Sequence, residues 1–450
     1  MATSIAPPSP GSGASPGRRR SLLSWAGGAR EGLAGLYPID GRRGPAALTV
    51  GAGFLFIAAM ALLSLARQSG PGALNSIWAE DGNVFYQSTF HQGFVTQLFA
   101  PYNGYLELVP RLLIQVVALF PVASAAAAIA VIGAVSSSAL ALLVYHAAAR
   151  HIASPALRLC IAVPTAIVVF GQSEVGNGIV NIQWYLLYAA FWMFLWNPQS
   201  RPRRILAAAV LLCAVGTNPV PALALTPLLL ARLWARPWRE SVWQTAGVLA
   251  GALYQAVSVL RGGLSSRNHL NFSFDPSWVP QWFADDVLGH ALISPAETGL
   301  AYGTSVVGAA LLLLLALVAW RAGLPRQQWL LAGVCAGYSV GIYFVLSVAG
   351  AARNDRYGVA PVLLMITTAA VLCCCRAKWL TVLLCVLIAA NLAANYYGGS
   401  QYRAAVPGWS KEVRLGREVC RHPGTTSAAL QIAPGGTWHV VVPCSALLGD

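Results

Sequence analysis

Residues 120–146 read FPVASAAAAIAVIGAVSSSALALLVYH and contain no acid, lysine or arginine. A helix needs about 20 such residues to cross the hydrocarbon core of a bilayer. Similar apolar runs recur along the 450 residues, of which 57% are hydrophobic and only 10% charged, which excludes a soluble enzyme. The sequence therefore predicts an all-α polytopic membrane protein with about eleven transmembrane helices. The predicted spans are residues 46–66, 120–146, 157–172, 183–197, 205–217, 219–231, 241–260, 303–320, 329–350, 359–375 and 379–395.

The two short runs on either side of Asn218 and Pro219 have two interpretations. Neither run alone comfortably spans a bilayer, so the pair forms either two crossings or one re-entrant hairpin. Both interpretations leave the topology of the later helices unchanged.

Basic residues are unevenly divided between the two sides of this topology. With the N-terminus in the cytoplasm, the inner segments hold 18 of the 29 basic residues and three of the 15 acids. This is the positive-inside pattern. It predicts a multi-pass cell-membrane protein with a cytoplasmic N-terminus and an extracytoplasmic C-terminus. The net charge of +14 does not indicate a nucleic-acid partner, because the basic residues are scattered between apolar runs.

Three regions follow from composition. Residues 1–45 are rich in Pro, Gly, Ser and Arg and are predicted to be a disordered cytoplasmic tail that contacts membrane lipid. Residues 46–395 form the transmembrane domain, and residues 396–450 form a small extracytoplasmic α+β tail.

The C-terminal tail shows patterns of both a helix and strands. Trp409, Val413, Gly416 and Cys420 share one helical face, and TSAALQIAP and TWHVVVPC predict two strands around Gly435 and Gly436. A unit of this size buries little core, so a cross-link matters for its stability. We predict a disulfide between Cys420 and Cys444, contributing about 3 kcal/mol and formed outside the cytoplasm.

Twelve of the 15 acidic residues lie on the predicted outer side, and none lies in a helix interior. A proton-coupled transporter usually has carboxylates near the bilayer midplane, where an ionisable group costs several kcal/mol. The distribution favours chemistry at the outer membrane surface. A lipid or polysaccharide transporter and a non-catalytic membrane scaffold are the alternatives.

The first outward loop, residues 67–109, contains the adjacent acids Glu80 and Asp81 in WAEDG at 78–82. Adjacent carboxylates at a membrane surface bind a divalent ion or supply a general base with a raised pKa. The alternative is an acidic pair that complements the dipole at a helix N-terminus.

An acidic pair in the first outward loop, amphipathic helices after it, about ten further spans and a small outward C-terminal region resemble the GT-C integral-membrane glycosyltransferases. The resemblance implies inverting transfer of a sugar from a polyprenyl-phosphate donor to an extracytoplasmic hydroxyl of an envelope glycan, lipid or protein. It implies that residues 46–395 are GT-C-like, with 67–109 as the catalytic loop. It also implies that Asp81 or Glu80 is the catalytic base or a ligand of a divalent metal ion, Mg or Mn.

Candidate sugar contacts lie in EVGNGIVNIQWY at 174–185. Its polar and aromatic residues recur at three- to four-residue spacing, which places them on one helical face able to hydrogen-bond and stack on a sugar. The alternative is that the two asparagines cap a helix or pair with neighbouring helices. With Tyr105 from the first loop and Arg111 just after it, the predicted substrate contacts are Glu174, Asn177, Asn181, Trp184 and Tyr185.

Arginines in outward loops predict contacts with phosphate. Arg353, Arg356 and Tyr357 lie in GAARNDRYGVAP at 350–361, just before a span, where guanidinium groups can fork onto phosphate oxygens. This loop looks like the phosphate-contacting loop of several GT-C enzymes. The alternative is that Asp355 neutralises one of the arginines. Arg111 follows Glu107 by four residues, which predicts a helical ion pair, with the donor phosphate as the alternative partner.

Overall fold

The computed structural model describes residues 27–41, 47–261, 275–293, 301–397 and 401–449. It is mostly helical with two short sheets, in agreement with the predicted class. The α-helices are α1 (Ala47–Ala66), α2 (Phe94–Leu98), α3 (Leu108–Val117), α4 (Ala125–Ala147), α5 (Pro155–Ala166), α6 (Gln172–Val175), α7 (Ile182–Leu195), α8 (Arg201–Thr217), α9 (Pro219–Leu223), α10 (Thr226–Ala235), α11 (Trp238–Leu260), α12 (Val279–Phe283), α13 (Gly289–Ala291), α14 (Ala301–Arg321), α15 (Arg326–Gly350), α16 (Asp355–Leu372), α17 (Lys378–Ala394), α18 (Gln401–Ala404), α19 (Trp409–Cys420) and α20 (Cys444–Leu448). The strands are β1 (Ile39–Asp40), β2 (Asn197–Pro198), β3 (Ser427–Gln431) and β4 (His439–Pro443).

Several helices are apolar enough to cross a membrane. Within the described residues, four have both the length and the composition, and six further apolar helices are shorter. The four are Val122–Arg150, Gly303–Arg321, Arg326–Gly350 and Asp355–Leu372. These helices are consistent with the predicted membrane protein. The number of about eleven crossings, the sidedness and the GT-C-like arrangement stay predictions.

Two of the predicted spans are interrupted in the structure. The run at 157–172 is helical only as far as Ala166, and the run at 219–231 is divided between α9 and α10. Proline occupies the first turn of both α9 and α10. Since proline has no N–H and fixes φ, it favours the start of a new helix over continuation of the previous one. The chain therefore has two short helices after Asn218, at the position where the sequence left the choice between two crossings and a hairpin.

The core of the bundle surrounds α7, in which every residue is buried. In α16 all residues from Gly358 to Leu372 are buried as well. A helix that is apolar all round belongs in the interior. At the periphery, large apolar side chains point outward, with Leu253 and Leu313 73% and 72% exposed. Such a surface suits contact with lipid.

Residues 27–41 are folded, although the composition of residues 1–45 predicts a disordered tail. β1 pairs in parallel with β2, and both Tyr37 and Asp40 are fully buried. The Tyr37 hydroxyl donates to the Leu228 carbonyl at 2.7 Å, and Trp196 Nε1 donates to Asp40 Oδ2 at 2.9 Å. Tertiary contacts with distant helices therefore order this short apolar stretch. Residues 1–26 and 42–46 lie outside the described residues.

The C-terminal unit consists of α19, the β3–β4 hairpin and α20. The strands are antiparallel, with Ala428 opposite Val442 and Leu430 opposite Val440, and these four side chains are buried. The predicted disulfide is present: Cys420 and Cys444 are bonded with a Cα–Cα distance of 5.3 Å. The helix, the two strands and the disulfide of this tail agree with the sequence prediction.

This C-terminal unit packs on the first loop. The Ala79 amide donates to the Ala433 carbonyl, and the Ala433 amide donates to the Ile77 carbonyl at 3.0 Å. Gly82 fits closely, because a Cβ there would lie 2.7 Å from the Ile432 side chain. Both segments thus share one apolar core, which fixes the backbone next to the acidic pair.

Candidate functional site

A polar cavity of about 310 Å³ lies where the first loop meets the ends of several helices. Its wall is formed by Glu80, the segment 102–107, the N-terminal end of α7, the break after Asn218, the C-terminal end of α15 and the first turn of α16. The structure thus brings together the three sequence segments in which site residues were predicted.

Five of the predicted site residues line this cavity. The Trp184 and Tyr357 rings contact each other edge to face, with centroids 5.7 Å apart. Aromatic faces beside charged groups are suited to stacking on a sugar ring. The five residues are Glu80, Tyr105, Trp184, Arg356 and Tyr357.

Arg356 lies between two carboxylates. Its Nη1 is 3.6 Å from Glu80 Oε1, and its Nε is 3.8 Å from Glu174 Oε2. Both distances exceed those of a direct hydrogen bond, so the guanidinium is attracted to the acids without being locked onto either. Burial raises the pKa of Glu174, against the opposing effect of Arg356. Arg356 is therefore placed to receive a phosphate oxygen from a ligand in the cavity.

Asp81 lies behind the cavity wall and is 1% exposed. Its Oδ1 accepts hydrogen bonds from the amides of Ile179 and Val180 at 3.0 and 2.8 Å. Burial raises the pKa of Asp81 to about 6, against the lowering effects of these amides and of Arg403. A Cβ at Gly178 would lie 2.7 Å from Asp81 Oδ2, so the approach requires glycine there. In this structure Asp81 ties the first loop to the 174–181 segment.

The other predicted sugar contacts form bonds within the protein. Asn177 exchanges two hydrogen bonds of 2.8 Å with Ser64, through the serine hydroxyl and carbonyl. Asn181 donates to the Glu174 carbonyl at 3.0 Å and accepts from Trp184 Nε1 at 3.1 Å. The Tyr185 hydroxyl donates to the Val175 carbonyl at 3.4 Å. These contacts match the alternative in which the amides pair with neighbouring elements, and they hold Trp184 in its position.

Arg353 and Arg356 have different partners in the fold. It contacts Asp286 Oδ1 through Nε at 3.1 Å, and its Nη1 is 3.9 Å from Asp285 Oδ2. The Tyr343 hydroxyl also donates to Asp286. The acids in direct contact with Arg353 are therefore distant in sequence, and Asp355, the alternative that the sequence suggested, also interacts electrostatically with Arg353.

Arg111 also has other contacts than the predicted one. Its Nη1 donates to Ser88 Oγ at 3.2 Å, and its guanidinium carbon lies 4.4 Å from the centre of the Phe85 ring. The positive charge of Arg111 still acts on Glu107, whose pKa it lowers. Arg111 thus supports the first loop from behind the cavity.

Five polar residues of the wall are not among the predicted site residues: Tyr102, Asn103, Glu107, Gln183 and Asn218. The sequence predicts an ion pair for Glu107, and the side-chain amides of Gln183 and Asn218 are hydrogen-bonded to each other at 2.8 Å. Side-chain amides at the ends of apolar runs can indicate site residues in a sequence, since polar groups in such positions require partners. Glu107 gives no such signal, because an acid next to a helix start is common.

The divalent metal ion that the resemblance implies at Asp81 or Glu80 stays a prediction. Within the described residues, no group of three or more His, Cys, Asp and Glu side chains is placed to hold a metal ion. Glu80 faces Arg356, whereas Asp81 Oδ1 is occupied by two amides. No step below therefore runs through a metal ion.

Comparisons of the chain with protein-family models, with characterised proteins and with solved structures gave no match.

Proposed function

We propose that this protein is a membrane glycosyltransferase that transfers a sugar from a polyprenyl-phosphate donor to a hydroxyl group at the outer membrane surface. The observation that carries the proposal is the cavity that combines Arg356, the carboxylate Glu80 and the rings of Trp184 and Tyr357. These groups suit a phosphate, a sugar hydroxyl and a sugar face, respectively. The transfer would serve the synthesis of an envelope glycan or glycolipid.

A second cavity supports a lipid-linked donor. It has a volume of about 300 Å³ and is lined by apolar residues between Val334 and Val345 of α15 and by Ala224. The polar cavity is lined by the next turns of α15, residues 346–350, and by Val220 and Pro221. From Gly337 to Gly350 the helix rises about 20 Å. A phosphate at Arg356 and a hydrocarbon chain along α15 would occupy both cavities at once.

In the proposed reaction, the acceptor hydroxyl attacks the anomeric carbon on the face opposite the phosphate, which gives inversion. The bond between the anomeric carbon and the phosphate oxygen breaks, and Arg356 stabilises the charge that develops on the departing phosphate. Trp184 and Tyr357 hold the sugar ring, and Glu80 accepts a hydrogen bond from a sugar hydroxyl. A carboxylate of the wall takes the proton of the acceptor.

The proposal includes a topology that remains to be measured. It places the polar cavity at the outer surface, with the N-terminus in the cytoplasm and the C-terminal unit outside. It also assigns residues 46–395 to a GT-C-like domain of about eleven crossings. The arginine distribution in the sequence supports this orientation.

The test is a transfer assay with purified protein in lipid nanodiscs. Polyprenyl-phosphate hexoses and pentoses serve as donors, alkyl glycosides serve as acceptors, and the release of polyprenyl phosphate is measured. Loss of a charge-assisted contact costs about 1.5–3 kcal/mol. We therefore expect Arg356→Ala to lower the rate roughly tenfold or more.

The matched control is Arg414→Ala, which removes an exposed arginine from α19 and should leave the rate unchanged. A wild-type protein that consumes none of the donors would contradict the proposed function. Equal rates for the wild type and Arg356→Ala would contradict the assignment of this cavity as the site of transfer.

A further inference from the structure

Glu107 is a buried carboxyl group in the cavity wall. It is 1% exposed and precedes the first residue of α3. Its Oε2 atom has no hydrogen-bond partner within the described part of the chain, although most buried polar atoms have one. Glu107 therefore combines a place in the wall of a polar cavity with a carboxyl oxygen that lacks a hydrogen bond to the described residues.

The two acids of the WAEDG motif are less available. Glu80 faces the guanidinium group of Arg356 at 3.6 Å, so its carboxylate already has a charged partner. Asp81 has its Oδ1 bonded to two backbone amides, and although its Oδ2 is also unpartnered among the described residues, Asp81 is not among the residues of the cavity wall. Of the three acids in the first loop, Glu107 is the one that combines a place in the wall with a buried oxygen atom that has no hydrogen-bond partner among the described residues.

We propose that Glu107 is the proton acceptor that activates the acceptor hydroxyl in this cavity. This inference rests on the proposed function. The acceptor oxygen forms a bond to the anomeric carbon, the bond from that carbon to the donor phosphate breaks, and the hydroxyl proton moves to the Glu107 carboxylate. Release of the proton to water restores the ionised group for the next turnover.

The charges around Glu107 are consistent with this role. Burial raises its pKa to about 8, and Arg111 and Arg356 lower it by less than burial raises it. A group with a pKa near the working pH is an efficient general base. The titratable and charged groups that act on Glu107 or respond to it are Glu80, Asp81, Tyr102, Arg111, Tyr254 and Arg356.

The experiment compares the transfer rates of the wild type, Glu107→Gln and Glu107→Asp in nanodiscs between pH 6 and 9. The wild-type rate should rise with pH and level off above about 8, as the carboxyl group ionises. Glu107→Gln should lose at least a hundredfold, which is the low end for general-base catalysis, and should lack this rise. Glu107→Asp keeps the carboxyl group and should retain the rise at a lower rate.

Two further measurements separate catalysis from folding. Glu418→Gln, an exposed acid of α19, should keep the wild-type rate and pH profile. In difference infrared spectra, the carbonyl band of a protonated carboxyl group that titrates near pH 8 should be missing from Glu107→Gln.

The outcomes distinguish this inference from the proposed function. Transfer by Glu107→Gln at the wild-type rate, with the same rise between pH 6 and 9, would overturn the role of Glu107 and leave the transferase standing. Absence of transfer by the wild type would overturn both.

Discussion

Asp81 and Glu80 are neighbours in the chain but have different surroundings. Glu80 lines the cavity and faces a guanidinium group, whereas Asp81 is buried between backbone amides and Arg403. Arg403 itself donates to the Glu174 carbonyl at 3.1 Å, and burial lowers its pKa to about 10. The two acids of one motif therefore have different environments: one lines the cavity, and the other holds two loops together.

The buried position of Asp81 predicts a pH dependence of stability. Burial raises the pKa of Asp81 from 3.8 to about 6, so the folded chain binds this proton more tightly than the unfolded chain does. The contribution of Asp81 to the free energy of unfolding is therefore largest below about pH 4 and falls as the pH rises to about 6. Relative to Asp81→Asn, the wild type should lose about 3 kcal/mol of unfolding free energy across this window.

Denaturant unfolding in nanodiscs at a series of pH values measures this difference. Glu418→Gln, a change at an exposed acid, should give a curve parallel to that of the wild type. Parallel curves for the wild type and Asp81→Asn would show that Asp81 has an ordinary pKa in the folded protein.

At the scale of elements, α15 connects the polar cavity to the apolar one. Gly337 and Gly341 line the apolar cavity, and an added Cβ at either position would meet no atom within 4 Å. The break between α9 and α10 lies opposite, so a helix interruption and a pair of glycines together leave space beside α15. This space would be filled by side chains if α9 and α10 were one continuous apolar helix.

We predict that filling the space beside α15 with a larger side chain weakens donor binding. Gly337→Leu or Gly341→Leu should displace part of the hydrocarbon chain, and each buried CH₂ group contributes about 0.8 kcal/mol. Loss of two such groups raises the KM for a polyprenyl-phosphate sugar roughly tenfold. The KM for a short-chain donor should change less.

Gly333→Leu is the matched control, because Gly333 lies on the same helix, is exposed and is not among the residues of either cavity. An unchanged KM in both Gly337→Leu and Gly341→Leu would indicate that the hydrocarbon chain of the donor lies elsewhere.

At the scale of the whole molecule, the C-terminal unit and the first loop share one core at the cavity end of the bundle. The folded segment 27–41 lies against the ends of other helices, at β2 and α10. The arginine distribution predicts that these two ends face opposite sides of the membrane.

Cysteine labelling in intact cells tests this orientation. Thr426→Cys places a thiol at an exposed position just before β3 of the C-terminal unit, and Arg239→Cys places one at the exposed start of α11. A membrane-impermeant maleimide should label the first variant in intact cells and the second only after permeabilisation. The reverse pattern would invert the topology and place the cavity in the cytoplasm.

The sequence by itself determined the helical membrane class, the helix and two strands of the C-terminal unit, and its disulfide. These features follow from local patterns: apolar runs, alternating strands and two cysteines in one small unit. It also identified five residues that line the cavity, because their chemistry is unusual for a membrane protein.

Only the tertiary structure decided which of the acids and arginines meet. Arg353 pairs with acids about 70 residues earlier in the chain, Arg356 lies beside Glu80, and Glu107 is in the cavity wall. The physical reason is that burial and electrostatic partners depend on the packing of distant segments. A carboxyl group lines a cavity, bonds backbone amides or lacks a partner according to what surrounds it.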